Sequence, residues 1–365
     1  MKQYKDLELL NKESFNKETQ FLYLHKYLYG GGTTFAAHLL HQTGYSKKNN
    51  IIFRVTKRTE SKLREFGYGL RYQNTSIDLI NKIKYPFVTL FKDTHFHVLT
   101  RLNERKDRSD SNNNGSSSSG ILVIHDHRDI SDKVALHLRG WKLITIRRTV
   151  QNYLENKYGL PSLFLYHPFY PYPITVISNQ SERIGAVSIS RISFEKNTDM
   201  IIKANKILQD QQYQPIKLFG CPSRMYVHMY LGGYNGEFNK YYYGMFDKSF
   251  SALSSILAQA KFVVDLTVLK NDGGGTQYTF LEAIHNGCAL ILHRKWIEND
   301  YVNPEYCDFK EGYNCLAVDN EKELADIIRK DPDTSKIVEN ARKLMVRHVK
   351  SGWSQLLHMD VPKVV

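Results

Sequence analysis

The sequence predicts an α/β protein made of two doubly wound domains, and three observations lead to this prediction. The chain has 365 residues, whereas one domain usually takes about 150. Short runs of β-branched and aromatic residues are each followed by a helical pattern, which is typical of parallel βαβ units. Between two such sets lies 166–173 (YHPFYPYP), whose three prolines predict a stiff segment between domains.

In the first domain we expect parallel strands that alternate with helices. The first strand, Phe21–Tyr29, leads into a glycine turn at 30–32, and Thr33 or Thr34 caps the helix that follows. The Ser/Asn/Gly-rich stretch 103–120 cannot pack a core and is predicted to be a mobile loop. The remaining predicted elements are the helices Thr33–Gln42 and about Thr149–Tyr158, and the strands Ile51–Val55, Tyr85–Leu90, Ile121–Ile124, Leu143–Ile146 and Leu163–Leu165.

The second domain repeats the same alternation, and we place the boundaries at 1–172, 173–350 and 351–365. The last segment is expected to be a tail that could return to the first domain. A helix is predicted where apolar residues recur from Met200 to Ile207. The other predicted elements are the strands Ile184–Ile189, Ile216–Phe219, Phe262–Leu266 and Ala289–Leu292, and the helices Tyr278–Asn286 and Glu321–Arg329.

Composition excludes several classes of protein and locates an excess of positive charge. With 42% hydrophobic and 24% charged residues, the chain is neither disordered, nor collagen-like, nor a disulfide framework. The net charge is +13. Residues 1–150 hold 26 Lys/Arg against 14 Asp/Glu, a net charge of +12, and the remainder carries +1. An anionic partner, either a phosphate backbone or an anionic membrane surface, should therefore meet the first domain.

The termini and cysteines favour a cytoplasmic protein, in the host cell if the chain is viral. Four cysteines occur without CxxC spacing, which fits a reducing compartment. The N-terminus begins with charged residues and has no apolar core of a signal peptide. No run of about 18 apolar residues is present, so we expect no membrane span.

Two cations follow the first strand of the second domain, at its carboxyl end. Arg191 and Lys196 lie in SRISFEK, where ligands of doubly wound sheets bind. Arginine offers a fork and lysine a point charge, so the pair is suited to a diphosphate. The alternative is a solvated surface loop.

A glycine loop, NDGGGT, precedes the predicted helix at 278. The amides of Gly273, Gly274 and Gly275 can approach an anion closely, and a helix capped by Thr276 adds its N-terminal partial charge. Glu282 lies on the same helix face as Tyr278, where a carboxylate can accept two hydroxyls of a ribose. The alternative is an ordinary flexible loop with Glu282 exposed. No GK[ST] follows, so this is not a Walker motif.

Two further groups belong to the first domain. His125, Asp126 and His127 follow the buried ILVI strand directly, and such residues at a strand end suit proton transfer or recognition of sugar hydroxyls. A turn capped by Asp126 is the alternative, and a third metal ligand at a recognisable spacing is missing. Residues 30–34 (GGGTT) lack the full dinucleotide-binding spacing, so we interpret them as a site of close backbone approach to a ligand or as a tight turn.

Together these residues resemble retaining glycosyltransferases of the GT-B fold, in which two Rossmann-like domains face a cleft. In that family an Arg and a Lys grip the donor diphosphate, matching Arg191 and Lys196, and a Glu holds the ribose, matching Glu282. The family's second Glu is replaced by Gly274. The nearer resemblance is to tailed-phage DNA α-glucosyltransferases, which share the glycine-rich first turn, the HDH, the R-x4-K pair and a YT-x-LE run followed by a glycine (here Gly287).

The resemblance implies transfer of a sugar, with retention, from a nucleotide-diphosphate sugar such as a UDP-sugar. It implies a first domain that binds the acceptor and a second that binds the donor, with no other cofactor. We expect no metal requirement, because no Asp-x-Asp lies at the end of a predicted strand and the two cations replace it. Asp126 is the expected acceptor-side base or orienting group, and His125 the contact to the donor sugar. The donor residues are expected to be Arg191, Lys196, Gly273, Gly274, Gly275, Thr276, Tyr278 and Glu282, and the acceptor-side residues Gly31, Gly32, Thr33, His127 and Arg128.

The resemblance to the phage enzymes makes a hydroxymethylated base in DNA the favoured acceptor, and the positive charge of the first domain fits this expectation. Two alternatives remain open. The acceptor could be a lipid or surface glycan at an anionic membrane. The chain could also be a non-catalytic nucleic-acid-binding module on the same scaffold. The sequence does not determine the oligomeric state.

Overall fold

The computed structural model describes residues 19–24, 28–44, 51–57, 59–60, 62–80, 85–89, 95–104, 120–175, 183–234, 236–298 and 304–356. They form two compact units. The first comprises the described residues up to Tyr170 together with those from His348 onward, and the second comprises Pro171–Arg347. These divisions lie two or three residues from the predicted boundaries. Most of the loop predicted at 103–120 lies outside the described residues.

The first unit is a sheet of eight described strands. Seven of these strands run parallel, because only the contact between β3 and β4 is antiparallel, and the order is β3-β4-β2-β1-β5-β6-β7-β8. The strands are β1 Thr19–Tyr23, β2 Ile52–Thr56, β3 Leu63–Gly67, β4 Leu70–Ser76, β5 Tyr85–Thr89, β6 Ile121–Ile124, β7 Lys142–Thr145 and β8 Leu163–Phe164. The longer helices are α1 Gly31–Gln42, α2 Phe96–Glu104 and α3 Arg148–Tyr158.

The beginning of α1 corrects the predicted glycine turn. Gly30 is the N-cap residue, and Gly31 and Gly32 already form the first helical turn, so neither Thr33 nor Thr34 is the cap. Gly30 has a φ of 85°, in a region that favours glycine, which explains why a glycine stands there. The hairpin of β3 and β4 was not predicted, because its polar residues do not alternate clearly with apolar ones.

The second unit is an entirely parallel sheet with the order β10-β9-β11-β12-β13. Its strands are β9 Ala186–Ser188, β10 Lys217–Leu218, β11 Phe262–Asp265, β12 Ala289–His293 and β13 Leu316–Val318. Its longer helices are α4 Thr198–Asp210, α5 Arg224–Tyr230, α6 Phe250–Ala258, α7 Tyr278–His285, α8 Glu321–Lys330 and α9 Ser335–Val349. The strand β13 and the helices α5, α6 and α9 were not predicted.

Both faces of the second sheet are covered, as the doubly wound class requires. In β11, Phe262 and Val264 pack into one apolar cluster, whereas Val263 between them packs into another. Leu290 and Ile291 of β12 divide in the same way. Because successive strand residues point to opposite faces, these continuous apolar runs build two cores, one on each side of the sheet.

Candidate active site

The carboxyl edge of the second sheet brings most of the predicted donor residues together. Arg191 and Lys196 follow β9, and Asp265 ends β11. The glycine loop at 273–275 comes after β11 and leads to α7. Since all of these strands run parallel, their carboxyl ends lie at one edge, which is the usual ligand site of such sheets.

Lys196 is held in a buried polar network. Its Nζ donates to Asp265 Oδ2 at 2.9 Å and Oδ1 at 3.2 Å, to Thr267 Oγ1 at 2.6 Å and to Gln277 Oε1 at 2.8 Å. The Asp265 side chain is fully buried and that of Lys196 is 9% exposed. An unpaired buried ammonium would be costly, so Asp265 is what allows a lysine here. Asp265 was not predicted as this partner from the sequence.

Arg191, in contrast, is exposed, and its nearest assigned partner is Glu195 at 3.5 Å. The backbone beside it is tightly constrained. A Cβ on Gly220, which follows β10, would lie 2.1 Å from the carbonyl oxygen of Ser190. Only glycine permits this approach, so the close packing fixes the backbone from which the guanidinium extends. Arg191 thus presents an exposed charge from a tightly packed backbone.

Two donor groups at this edge are buried without a hydrogen-bond partner among the described residues. They are Ser193 Oγ, between the two predicted cations, and Gln277 Nε2, on the amide whose oxygen accepts from Lys196. Buried polar groups of native proteins are nearly always satisfied. Two such donors near Lys196 leave unused hydrogen-bonding capacity at this edge of the sheet.

The glycine loop departs in part from the prediction. The N–H of Gly273 donates to Asp272 Oδ1 at 2.9 Å and that of Gly274 to the carbonyl of Trp296 at 2.6 Å, so both amides are satisfied within the protein. Gly275 has no atom within 4 Å of where a Cβ would lie, which leaves room for a ligand. Thr276 is not the helix cap; Gln277 occupies the N-cap position.

Glu282 and Tyr278 lie one turn apart on α7 and are both buried. Burial and, secondarily, the charge of Glu282 raise the pKa of Tyr278 well above its usual value, so its hydroxyl stays protonated. The Glu282 carboxylate accepts a hydrogen bond from the hydroxyl of Tyr172, which lies in the proline-rich segment. Glu282 is thus not an exposed helix residue, and Tyr172 is a second residue that the sequence analysis missed.

In the first unit, Asp126 caps a short turn, as the alternative interpretation allowed. Its carboxylate accepts from the Arg128 backbone N–H at 2.9 Å and from the Arg128 guanidinium at 2.6–3.0 Å. Burial raises the pKa of Asp126, but the hydrogen bonds from Arg128 and the charge of Arg147 outweigh it and hold the pKa at about 2. A carboxylate with this pKa is a weak proton acceptor and a good orienting group.

His125 and His127 flank this carboxylate. Desolvation and then Arg147 lower the pKa of His125 to about 3, so its imidazole is neutral at pH 7. The ring contacts Phe35 edge-on, at 4.6 Å between centroids. His127 Nδ1 lies 3.6 Å from Asp126 Oδ1. Arg147, which follows β7 and affects both Asp126 and His125, carried no motif in the sequence.

The predicted glycines of the first unit lie at the beginning of α1. Gly31 is exposed and has no atom within 4 Å of where a Cβ would lie. Thr33 is buried, and its hydroxyl lies 2.9 Å from that of Tyr23. Gly31 and Gly32 therefore leave the helix backbone accessible, whereas Thr33 supports it from inside.

The described part of the chain contains neither a candidate metal cluster nor a membrane-spanning helix. No group of three or more His, Cys, Asp or Glu side chains among these residues is arranged to hold a metal ion. None of the helices there has the length and apolar character needed to cross a membrane. All four cysteines are free thiols.

Comparison with known proteins shows the fold. No protein-family model and no curated protein matches the sequence. Among solved structures, Anabaena HepE in complex with UDP and glucose superposes with a TM-score of 0.63 at 12% identity, covering 94% of this chain and 98% of HepE. An alpha-glucosyltransferase in complex with UDP and a 13-mer DNA containing an HMU base gives 0.61 at 13% identity, covering 90% and 95%.

A third neighbour is a mutant of S. aureus TarM in complex with Fondaparinux, alpha-GlcNAc-glycerol and UDP. It gives a TM-score of 0.54 at 13% identity, covering 77% of this chain and 56% of TarM. The predicted GT-B glycosyltransferase fold, with its two α/β units and parallel sheets, is confirmed.

Proposed function

We propose that this protein is a retaining glycosyltransferase that moves a sugar from a UDP-sugar to a hydroxyl of a hydroxymethylated base in DNA. The observation that carries the donor half of this proposal is the cluster at the carboxyl edge of the second sheet. There, the unsatisfied buried donors of Ser193 and Gln277 lie near Lys196, and the exposed cation Arg191 stands two residues before Ser193. A nucleotide diphosphate supplies the acceptor oxygens that this cluster lacks.

In the donor site, Arg191 and Lys196 stabilise the negative charge that develops on the departing diphosphate. Such preorganised electrostatic stabilisation is usually the largest contribution to catalysis. These cations replace a metal ion, and we expect turnover to persist in EDTA. The open backbone at Gly275 and the beginning of α7 lie beside the diphosphate, and Glu282 accepts the ribose hydroxyls.

The chemical step exchanges one C–O bond for another. The bond from the anomeric carbon to the diphosphate breaks, and the acceptor oxygen bonds the same carbon from the same face. The acceptor proton passes to the departing diphosphate, because the low pKa of Asp126 makes that carboxylate a poor base. Asp126 instead orients the acceptor, and the neutral His125 contacts the transferred sugar.

The acceptor assignment depends on charge in the first unit. Four exposed cations lie on or next to its edge hairpin of β3 and β4: Lys57, Lys62, Arg64 and Arg71. Arginine and lysine on an exposed edge attract phosphates without sequence preference. A base within a duplex must be flipped from the stack before its hydroxyl can react. DNA that meets this hairpin would be held by its backbone, which leaves the flipped base to Asp126 and to the backbone of Gly31.

The test is transfer to DNA. The purified protein is incubated with a panel of UDP-sugars and with hydroxymethylated or plain duplex DNA, and the nucleosides are analysed by mass spectrometry. We expect a hexose or pentose adduct on hydroxymethylated DNA alone, insensitive to EDTA, and an α-configured product by NMR. If no donor produced an adduct on either DNA but a lipid or glycan was glycosylated, the alternative acceptor at an anionic membrane would be supported instead. If no UDP-sugar were turned over at all, the alternative of a non-catalytic nucleic-acid-binding module would be supported.

Salt dependence provides an independent test of the hairpin. Each phosphate contact contributes about −0.9 to the slope of log K against log salt concentration. Lys62→Ala and Arg71→Ala should therefore each make this slope shallower by about 0.9. Lys203→Ala, on α4 of the second unit, serves as the control and should leave it unchanged. If neither Lys62→Ala nor Arg71→Ala changed the salt dependence of DNA binding, the hairpin would not be the DNA-binding surface.

A further inference from the structure

A chain of hydrogen bonds leads through Tyr172 to the Glu282 carboxylate. The Tyr172 hydroxyl donates to Glu282 Oε2, and Asn286 Nδ2 donates to the Tyr172 oxygen at 3.0 Å. The same amide group donates to the Glu282 carbonyl at 2.9 Å, and its Oδ1 accepts from the Ser254 hydroxyl at 2.7 Å. Ser254 Oγ in turn accepts from the Thr175 N–H at 2.7 Å.

These contacts determine the direction of the bond to the carboxylate. Because Oδ1 of Asn286 accepts from Ser254, its Nδ2 is the donor toward Tyr172. The phenolic oxygen therefore receives a hydrogen from the amide and points its own hydrogen at Glu282. The phenol is in this way a dedicated donor to the carboxylate.

The Tyr172 ring is held as firmly as its hydroxyl. It stacks on Phe250, with centroids 4.5 Å apart and planes 15° apart, and meets His285 edge-on at 4.6 Å. His285 Nε2 also lies 2.8 Å from the Tyr172 carbonyl oxygen. Tyr172 is therefore held at its ring, its hydroxyl and its backbone, and these contacts fix the orientation of the phenol. Only 3% of the residue is exposed.

We infer that Tyr172 is a positioning residue for recognition of the donor ribose. A carboxylate has about four lone-pair sites, so Glu282 can accept from Tyr172 and from ribose hydroxyls together. By fixing the plane of the carboxylate, Tyr172 sets the direction in which the ribose hydroxyls must approach. The inference rests on the proposed function, since it takes Glu282 as the ribose acceptor.

The experiment compares binding of UDP with binding of 2′,3′-dideoxy-UDP by titration calorimetry. A hydrogen bond to a charged group should let the unsubstituted protein prefer UDP by about tenfold or more. In Tyr172→Phe the ring and its stacking remain, but the bond to Glu282 is lost. We expect its UDP affinity to fall about three- to tenfold while its affinity for dideoxy-UDP stays within about twofold, since only the ribose contact is altered.

The matched control is Tyr241→Phe, which removes a hydroxyl from another buried tyrosine of the same unit. That hydroxyl donates to Gln209 at 2.7 Å, away from α7, and the preference for UDP should be unchanged. Phe250→Leu, which removes the stacking partner, should reduce the preference in the same direction and provides a second variant if Tyr172→Phe does not fold.

The outcomes separate the two proposals. Equal weakening of both nucleotides in Tyr172→Phe would make Tyr172 a structural support only and overturn the inference. Tighter UDP binding in that variant would overturn it too, because it would make Tyr172 a competitor of the ribose. If the unsubstituted protein bound no UDP, the donor assignment itself would be wrong, and the inference would fall with it.

Discussion

Replacing Arg191 with alanine separates function from stability, because the two contributions of this side chain differ in size. The Arg191 side chain is 54% exposed, and its guanidinium pairs with Glu195 at 3.5 Å. Exposed pairs of this kind contribute about 0–1 kcal/mol to stability. The free energy of unfolding should therefore fall by no more than about 1 kcal/mol.

The expected effect on catalysis is much larger. If Arg191 stabilises the charge developing on the diphosphate, its removal costs about 10²–10³-fold in kcat/KM, by analogy with the loss of one preorganised donor to a developing anion. Initial rates of transfer from UDP-sugar measure this loss. Denaturant unfolding of the same preparation, followed by circular dichroism, measures the stability.

Lys203→Ala is the matched control for this experiment. Lys203 also forms an i,i+4 pair, with Asp199 at 3.2 Å, and is similarly exposed at 60%. It lies on α4, whereas Arg191 lies at the carboxyl edge of the sheet. The control should keep full activity and, like Arg191→Ala, lose no more than about 1 kcal/mol of stability. Equal rates in Arg191→Ala and Lys203→Ala would refute the assignment of Arg191 to the donor diphosphate.

Four further predictions concern the donor site of the second unit and the Asp126 region of the first unit. Lys196→Met should lower the free energy of unfolding by about 3–5 kcal/mol, because Asp265 is left buried and charged. The double variant Lys196→Met/Asp265→Leu should recover most of the lost free energy of unfolding, as measured by urea titration. If the losses of the two single variants simply added in the double variant, the pairing of Lys196 with Asp265 would be contradicted. Gln277→Glu keeps the oxygen that accepts from Lys196 but replaces a donor with a charge that repels diphosphate, so KM for the UDP-sugar should rise about tenfold or more. An unchanged KM in Gln277→Glu would show that the donor diphosphate does not bind next to Gln277. Asp126, with a pKa of about 2, and His125, with a pKa of about 3, should give no titration in kcat/KM between pH 5 and 8. Because the folded-state pKa of Asp126 is depressed, Asp126→Asn should be less stable than the unsubstituted protein above about pH 4. This difference in the free energy of unfolding should disappear as the pH falls through about 2, and denaturant unfolding curves across this pH range measure it.

The parallel sheets were predictable because buried strands have a strong local signature. Ile121–Ile124 reads as four consecutive β-branched or aliphatic residues and forms β6 with those bounds. The hairpin of β3 and β4 has no such signature. Its burial pattern in β3 is exposed for three residues and buried for two, so tertiary pairing rather than periodicity determines it.

In the candidate site, the charges were easier to predict than their partners. Arg191, Lys196 and Glu282 stand out by residue type and by their position after a strand or on a helix. Asp265 and Tyr172 are 69 and 110 residues from the groups they contact, so no local spacing reveals them. Asp265 could have been suspected, because an aspartate at the end of a buried apolar strand indicates a functional group at the edge of the sheet. The tyrosine lies in a proline-rich segment whose composition indicates only a linker.

The residues that follow the second unit complete the first one. The Gln42 side chain donates to the carbonyls of His348 and Val349, at 3.1 and 2.6 Å. Trp353 is fully buried and donates to the Tyr166 carbonyl at 2.8 Å. The first unit is therefore assembled from two separate stretches of chain, whereas Pro171–Arg347 is continuous.

This connectivity reverses the usual order of folding during synthesis. Domains generally fold as they emerge, the N-terminal one first, at about 5–20 residues per second. Here the N-terminal unit must wait roughly 10–40 s, the time taken to translate the second unit, before the short helix that carries Trp353 leaves the ribosome. The second unit can close its core in that interval. A nascent chain halted at Arg347 would expose the surface that Trp353 covers, and chaperones would have to protect it.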